Sequence, residues 1–455
     1  MDPIPGLSIL VDPFAKSTSP AMASDIAMNG WDIIAATTQD AINKQLLGMP
    51  EIKVNRQIKF ELFHMPMTVD VDVSLGRPQI ETDNVGSGRT IKVALALSGS
   101  IKMNGDPIKI DNGQKVIVKT DLARIEAKLN ATQSANETDY QLIINFKEDI
   151  PVEMKSELPA QELAFLLKTL EQIVYKDLAH GHQYPVVRFS LSNEQAQQYQ
   201  LFIPRLADFS FVENTSNRGR SNFLVLLQTV SKDPGGIFFN KPLLADDQTY
   251  AAFMSNKLFM EYYILPPLLS KVKDMAKDKD DAGRKIAMRS HADTHGTELF
   301  EVSNEGAIGL DKDHEPWIEK IRGYIDTDRQ ALSFYLNVQC NATFLDIHKT
   351  MTDQSWQQFD VAGSDTKISL KQIDEQKSKE TSMEWWKWLL SALGGPIWLI
   401  INGVTYGLVE NDSTNLGGTF SGVGSSIVQW PGQKVVQLQK ITSPSHIVFT
   451  LDVQF

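Results

Sequence analysis

A single cysteine, Cys340, in 455 residues excludes an intramolecular disulfide and any cysteine-based zinc site. It sits in SFYLNVQCNATF, where Phe334, Leu336, Val338, Cys340 and Ala342 share one strand face, so it reads as a small buried hydrophobe. Basic residues are also in short supply. The 44 Lys and Arg against 56 Asp and Glu leave a net charge of −12 and a pI near 5.2. A nucleic-acid binder needs a basic face, so that class is set aside. Long-range attraction to anionic membranes is disfavoured too, which leaves only a local basic patch to provide it. The opening MDPIPGLSILVDPFAKS has neither a basic n-region nor an apolar h-region. The expectation is synthesis in the cytoplasm without a signal peptide, with any extracellular role depending on another route.

Catalytic signatures are scarce. His291 and His295 in SHADTHG have i,i+4 spacing, but the Glu of a zinc-protease helix is absent and Gly296 favours a loop. In DKDHE (311–315) acids alternate, yet Pro316 stands where a calcium loop wants Gly. The run LGGTFSGVGSS (416–426) lacks the GK[ST] of a phosphate loop, and no GxSxG elbow occurs. The reading is therefore not an enzyme, with no metal and no cofactor.

What is present is ordinary globular material, 42% apolar and 22% charged, in a chain long enough for two or three domains. Residues 1–23, rich in Pro, Ser and Ala, read as a loose N-terminal arm. In NGWDIIAATTQDAINKQLLG, Trp31, Ile34, Thr38, Ile42 and Gln45 or Leu46 recur at three- and four-residue steps and predict a helix over 30–47. The period then falls to two. MTVDVDVSL sets Met67, Val69, Val71, Val73 and Leu75 against Thr68, Asp70, Asp72 and Ser74. TIKVALALSG and DYQLIINFK repeat the idea, as expected of antiparallel strands wet on one side. Gly86-Ser87-Gly88, Asn104-Gly105 and Asn112-Gly113 read as turns.

A second helix is predicted at Pro159–Leu178, then strands through QYPVVRFSL, QLFIPRLADFSF and NFLVLLQTV. A longer helix is predicted over 248–276, striped by Tyr250, Met254, Leu258, Tyr262 and Leu265, which Pro266-Pro267 must kink or split. Strands resume near Ile286, pass a Gln/Lys/Ser-rich interval at 371–382, and end in HIVFTLDVQF. The organisation, helix plus strands and then again, predicts an α+β protein in which a long helix covers the greasy face of each sheet.

The least ordinary segment is WWKWLLSALGGPIWLIINGV, Trp385 to Val404, with Lys387 as its one charge. As a helix it would span a bilayer core of about 30 Å. Gly394-Gly395-Pro396 would break such a helix, and Trp385, Trp386 and Trp388 cluster at one end only. Three readings stay open: a buried hairpin or strand pair, a tip whose Trp385, Trp386, Trp388 and Trp398 touch a membrane while Lys387 snorkels to phosphate, or a true span.

NGWDI at 29–33 with INKQL at 42–46, DNVGSGRTIKV at 83–93, and MSNKLFMEYYILPPL at 254–268 resemble segments of a family. It is the forty-seven-kilodalton accessory proteins of botulinum neurotoxin gene clusters and their OrfX-type relatives. Matching segments run in order from about residue 24 to the C-terminus. That family resembles the tubular lipid-binding (TULIP) superfamily. The resemblance implies two modules (24–205 and 206–455, with C-terminal strands able to return to the first), each a long helix wrapped by a curved antiparallel sheet. It implies a non-enzymatic protein encoded beside a protein toxin, with lipid as a suspected ligand and the toxin or sibling accessory proteins as partners.

On that architecture Trp31, Ile34, Ile42, Leu46, Tyr250, Met254, Leu258, Tyr262 and Leu265 face a groove. They either touch an acyl chain or pack directly on the sheet with no ligand between. Two functions follow: a lipid-binding accessory protein that also contacts membranes peripherally, or an assembly partner of a toxin complex with a closed groove. A hydrolase is the third and weakest class.

Overall fold

The structure is a computed structural model that describes residues 27–62, 64–81, 87–102, 107–127, 139–145, 152–154, 160–173, 184–189, 206–230, 234–278, 280, 285–289, 299–302, 307–309, 317–342, 347–362, 367–378, 428, 430 and 435–454. Within them the chain is mostly antiparallel sheet with few helices, an α+β protein.

Strand β1 (Ile33–Thr38) runs directly into helix α1 (Gln39–Leu46). There follow β2 (Ile52–Leu62), β3 (Met65–Glu81), the short β4 (Ser87–Gly88), β5 (Thr90–Lys102), β6 (Pro107–Ala127), β7 (Asp139–Asn145) and β8 (Val152–Met154). Helix α2 (Ala160–Ile173) precedes β9 (Tyr184–Phe189), β10 (Leu206–Val212), β11 (Asn222–Gln228) and β12 (Tyr250–Met254). Helix α3 comprises Asn256–Phe259, a π-helical stretch Met260–Ile264, and Leu265–Met275. The remaining strands are β13 (Ile286–Arg289), β14 (Leu299–Val302), β15 (Ile308–Gly309), β16 (Trp317–Asp326), β17 (Ala331–Ala342), β18 (Ile347–Ala362), β19 (Lys367–Ser378), β20 (Val435–Thr442) and β21 (Ile447–Gln454).

They form three sheets. The first is ordered β2-β3-β5-β6-β7-β9 with β8 on β6, and the third β13-β14-β16-β17-β18-β19 with β15 on β16. Between them in composition lies a central sheet ordered β20-β21-β12-β1-β11-β10-β4, drawn from both ends of the chain. The terminal strand β21 therefore sits two places from β1.

The first sheet is built as its pattern demands. Val69, Val71, Val73 and Leu75 are buried while Thr68, Asp70 and Asp72 are exposed. Phe165, Leu166, Leu170 and Ile173 of α2 join the same core, with the Phe165 ring 6.1 Å from that of Phe60. Each such apolar side chain contributes about 1.5–3 kcal/mol on burial. Curvature comes from irregularities on adjacent strands. Pairing of β3 with β5 skips between Leu75 and Pro78, and that of β5 with β6 between Leu97 and Gly99. An extra residue on one strand bends the ribbon and increases its twist. Gly99 makes this possible: its φ is +125°, and a Cβ there would stand 2.1 Å from the Asp72 carbonyl oxygen. Asn112-Gly113, expected to be a turn, is part of this irregularity inside β6. Of the polar interval from 371, residues 371–378 are likewise strand, the end of β19, with 371–374 exposed.

Two helix predictions need correction. Residues 33–38 are strand, not helix, because the central sheet is covered on both faces. All six residues of IIAATT are buried, and a strand buried on both faces carries no alternation to betray it. Tyr250 and Met254 also belong to a strand. Their four-residue spacing fits one face of a helix and one face of a strand equally well. The helix proper starts at Asn256, where the Ser255 hydroxyl accepts a hydrogen bond from the Leu258 N–H at 3.1 Å. Pro266 and Pro267 do not end it. Neither can donate to the preceding turn, and the helix widens to π geometry just before them.

Candidate functional site: the apolar interior

One buried cluster joins the inner faces of the first and third sheets, helices α1, α2 and α3, and one face of the central sheet. From the central sheet it takes Ile33, Ala35, Phe209, Phe211, Phe223, Val225, Leu227, Tyr250, Ala252, Met254, Ile447 and Phe449. From α3 it takes Leu258, Phe259, Met260, Ile264, Leu268 and Val272, and from the third sheet Ile318, Ile321, Ile325, Leu332, Phe334 and Leu336.

Seven of the nine residues predicted to line a groove meet here. Ile42, Leu46, Tyr250, Met254 and Leu258 are buried in the cluster, and Tyr262 and Leu265 pack against it half-buried. Trp31 and Ile34 do not join them. They lie on the opposite face of the central sheet in a second cluster with Met28, Leu224, Leu226, Phe239, Leu244 and Phe253.

The NGWDI stretch is thus an anchor for the segment covering that opposite face. Asn29 and Gly30 take positive φ values of 50° and 86°, and the Trp31 N–H closes the turn on the Met28 carbonyl at 2.9 Å. The indole N–H of Trp31 donates to the Gly236 carbonyl at 2.9 Å, and the Asn29 side chain to the Phe238 carbonyl at 2.8 Å. Gly235 fits flat on the indole; a Cβ there would be 2.6 Å from its Nε1. The buried Asp32 carboxylate accepts from the Thr229 and Val230 N–H groups at 2.8 and 2.9 Å, closing the end of β11.

INKQL does face the interior. Thr38 caps α1, accepting from the Ala41 N–H at 3.3 Å. Asn43 bonds Ile80 of β3 on both its carbonyl (3.0 Å) and its N–H (2.7 Å), as a neighbouring strand would. This locks α1 to the first sheet and aims Ile42 and Leu46 inward. The Gln45 amide donates to the Tyr250 hydroxyl at 3.2 Å. Burial pushes the Tyr250 phenol up to about 12, with that hydrogen bond pulling the other way. On α3, Phe259 meets Phe359 edge-on with centroids 5.9 Å apart, and the Asn256 N–H donates to Nδ1 of His446 at 3.0 Å.

Trp430 was not predicted. It is buried against Phe223 (6.4 Å, edge-on) and Tyr250 (6.2 Å), in a stretch with no periodicity to mark it. Ser355 and Gln357 were also missed. They sit in QSWQQ of β18, whose polar letters conceal which positions face inward. Trp356 points to the other face, with the Arg329 guanidinium 4.3 Å above its ring and its indole N–H donating to Asp326 at 2.7 Å.

Trp385, Trp386, Lys387, Trp388 and Trp398 lie outside the described residues, as do His291, His295, the 311–315 acids and the 416–426 run. Among the described residues no helix is long and apolar enough to cross a membrane, and no group of three or more His, Cys, Asp or Glu is placed to hold a metal ion.

No family model matches the chain, and no curated protein sequence does. Solved structures do. The chain is similar to P47 of Clostridium botulinum E1 with a TM-score of 0.62 at 13% identity, over 93% of this chain and 99% of that one. It is similar to P47 from Clostridium botulinum A2 with a TM-score of 0.61 at 14% identity, over 93% and 98%. A lipopolysaccharide binding protein aligns with a TM-score of only 0.28 at 11% identity, which carries no argument. The resemblance read from NGWDI, INKQL and SNKLFME therefore holds in three dimensions, and at these identities it is a likeness of fold.

Proposed function

We propose that this chain is a non-enzymatic lipid-binding accessory protein of a bacterial protein toxin, holding acyl chains in its apolar interior. The supporting observation is that interior. The first and third sheets and three helices turn apolar faces toward one continuous cluster that also takes in a face of the central sheet. Acyl chains share that chemistry, and each methylene moved out of water is worth about 0.8 kcal/mol. On this reading the chain has two tubular modules, 24–205 and 206–455, and Trp385, Trp386, Lys387, Trp388 and Trp398 present it to a membrane surface. Toxin association rests on the likeness to the botulinum accessory proteins.

A second reading has its own support. Met254, Leu258, Met260 and Ile264 are wholly buried, as they would be in an interior packed on itself. The protein would then serve as an assembly partner of a toxin complex and take up no lipid. The test is incubation with phosphatidylcholine vesicles carrying a pyrene-labelled phospholipid, followed by size exclusion. Lipid carriage predicts label at the protein peak approaching an integral stoichiometry. A protein peak without label at every vesicle ratio overturns it in favour of the second reading.

A further inference from the structure

The interior facing α3 is not uniformly apolar. In the third sheet, residues directly opposite on neighbouring strands share a face. One such row is Gly323, Phe334 and Ser355; the next is Ile325, Leu332 and Gln357. Phe334, Ile325 and Leu332 belong to the interior cluster, and Phe359, next along the same face, packs on it and meets Phe259 of α3. Ser355 and Gln357 are thus two polar residues set side by side, with Phe334 and Leu332 of β17 opposite them. They are 2% and 1% exposed, and neither the Ser355 hydroxyl oxygen nor the Gln357 carbonyl oxygen has a hydrogen-bond partner in the protein.

Burying such a group unpaired costs free energy that an apolar residue of similar size would not. A fold under no other demand fills this position with Val or Leu. The strand pairing is also irregular here: β18 and β19 lose register between Trp356 and Gln357, the kind of irregularity that re-aims side chains beside binding sites.

We infer that Ser355 and Gln357 form a polar subsite inside the α3 side of the interior, which takes the uncharged hydrogen-bonding headgroup of an amphipathic lipid, a glycerol or amide group, with its acyl chain along α3. The inference rests on the lipid-carrying reading above. Both groups are neutral. A hydroxyl can donate or accept, and the Gln carbonyl oxygen needs a donor, which a glycerol hydroxyl or an amide N–H supplies. Neither group carries a charge that could pair with a phosphate or free carboxylate headgroup.

The experiment uses the full chain, delipidated and incubated with three probes: monooleoylglycerol, dioleoyl phosphatidate and 1-octadecene. Retention is read by native mass spectrometry and competition. The expected order is monooleoylglycerol first, with the other two at least about tenfold weaker. Ser355→Ala with Gln357→Leu should weaken monooleoylglycerol by about tenfold or more, leave octadecene unchanged or tighter, and raise the melting temperature of the lipid-free protein. Equal binding of monooleoylglycerol by wild type and the double variant, or a wild type that prefers phosphatidate or octadecene, overturns the subsite but leaves lipid carriage standing. A wild type that retains none of the three overturns both. A lower melting temperature in the double variant identifies an ordered water network there instead, and also overturns the subsite.

Discussion

Trp31 stands at the point where sequence and structure diverge, and replacing it separates the two. Trp31→Phe keeps an aromatic ring but removes part of a bicyclic side chain that is 1% exposed, and it deletes the indole donor to the Gly236 carbonyl. The lost hydrogen bond is worth about 1 kcal/mol. The partly filled space beside Gly235, Leu224 and Phe253 adds about 1–2 kcal/mol. A total of about 2–3 kcal/mol should lower the melting temperature by roughly 5 °C. It should also loosen residues 234–248, which the indole and Asn29 fasten to the central sheet, so limited proteolysis there should accelerate. Lipid uptake, read by co-elution with pyrene-labelled phospholipid, should be unchanged, because the central sheet stands between Trp31 and the interior cluster. A variant with normal melting and lost uptake would put Trp31 in the lipid path and refute the assignment.

Two further outcomes follow from single residues. Gly99→Ala should be among the most damaging one-carbon changes in the chain, since the new Cβ would lie 2.1 Å from the Asp72 carbonyl oxygen at a φ of +125°. Loss of soluble expression, or destabilisation beyond about 3 kcal/mol by urea melt, is expected, and near-neutral behaviour would deny the bend its role. Tyr250 predicts a pH effect. Its phenol is raised from 10.0 to about 12 in the folded chain, so between those values the folded state keeps a proton the unfolded chain has released. That contribution is complete below pH 10 and is lost as pH rises toward 12, by at most about 2–3 kcal/mol. Paired denaturant melts from pH 8 to 11.5 should show wild type losing more stability at high pH than Tyr250→Phe. Parallel curves would contradict the burial of that hydroxyl.

The strands wet on one side were legible because a single buried face writes itself as alternation, as in Val69 to Leu75 of β3. The central sheet was not, because both its faces are covered. IIAATT of β1 and NFLVLLQ of β11 are buried throughout, and such runs carry no period. Tyr250 and Met254 misled in another way, since a four-residue step fits either period, and the true helix begins only after the Ser255 cap. Much of the interior was still readable: seven of the nine residues chosen by stripe fall on it or against it, because inward-facing residues must be apolar in either secondary structure. The polar members were hidden for the converse reason. Ser355 and Gln357 look like surface residues, and only the register of β17 with β18 turns them inward.

The measurement that bears most directly on lipid carriage is native mass spectrometry of the freshly purified full chain, followed by solvent extraction and identification of whatever it releases. The account predicts an adduct of lipid mass at close to integral stoichiometry, lost on extraction and regained from vesicles. A mass equal to the bare polypeptide, unchanged after incubation with mixed lipid vesicles, would contradict it.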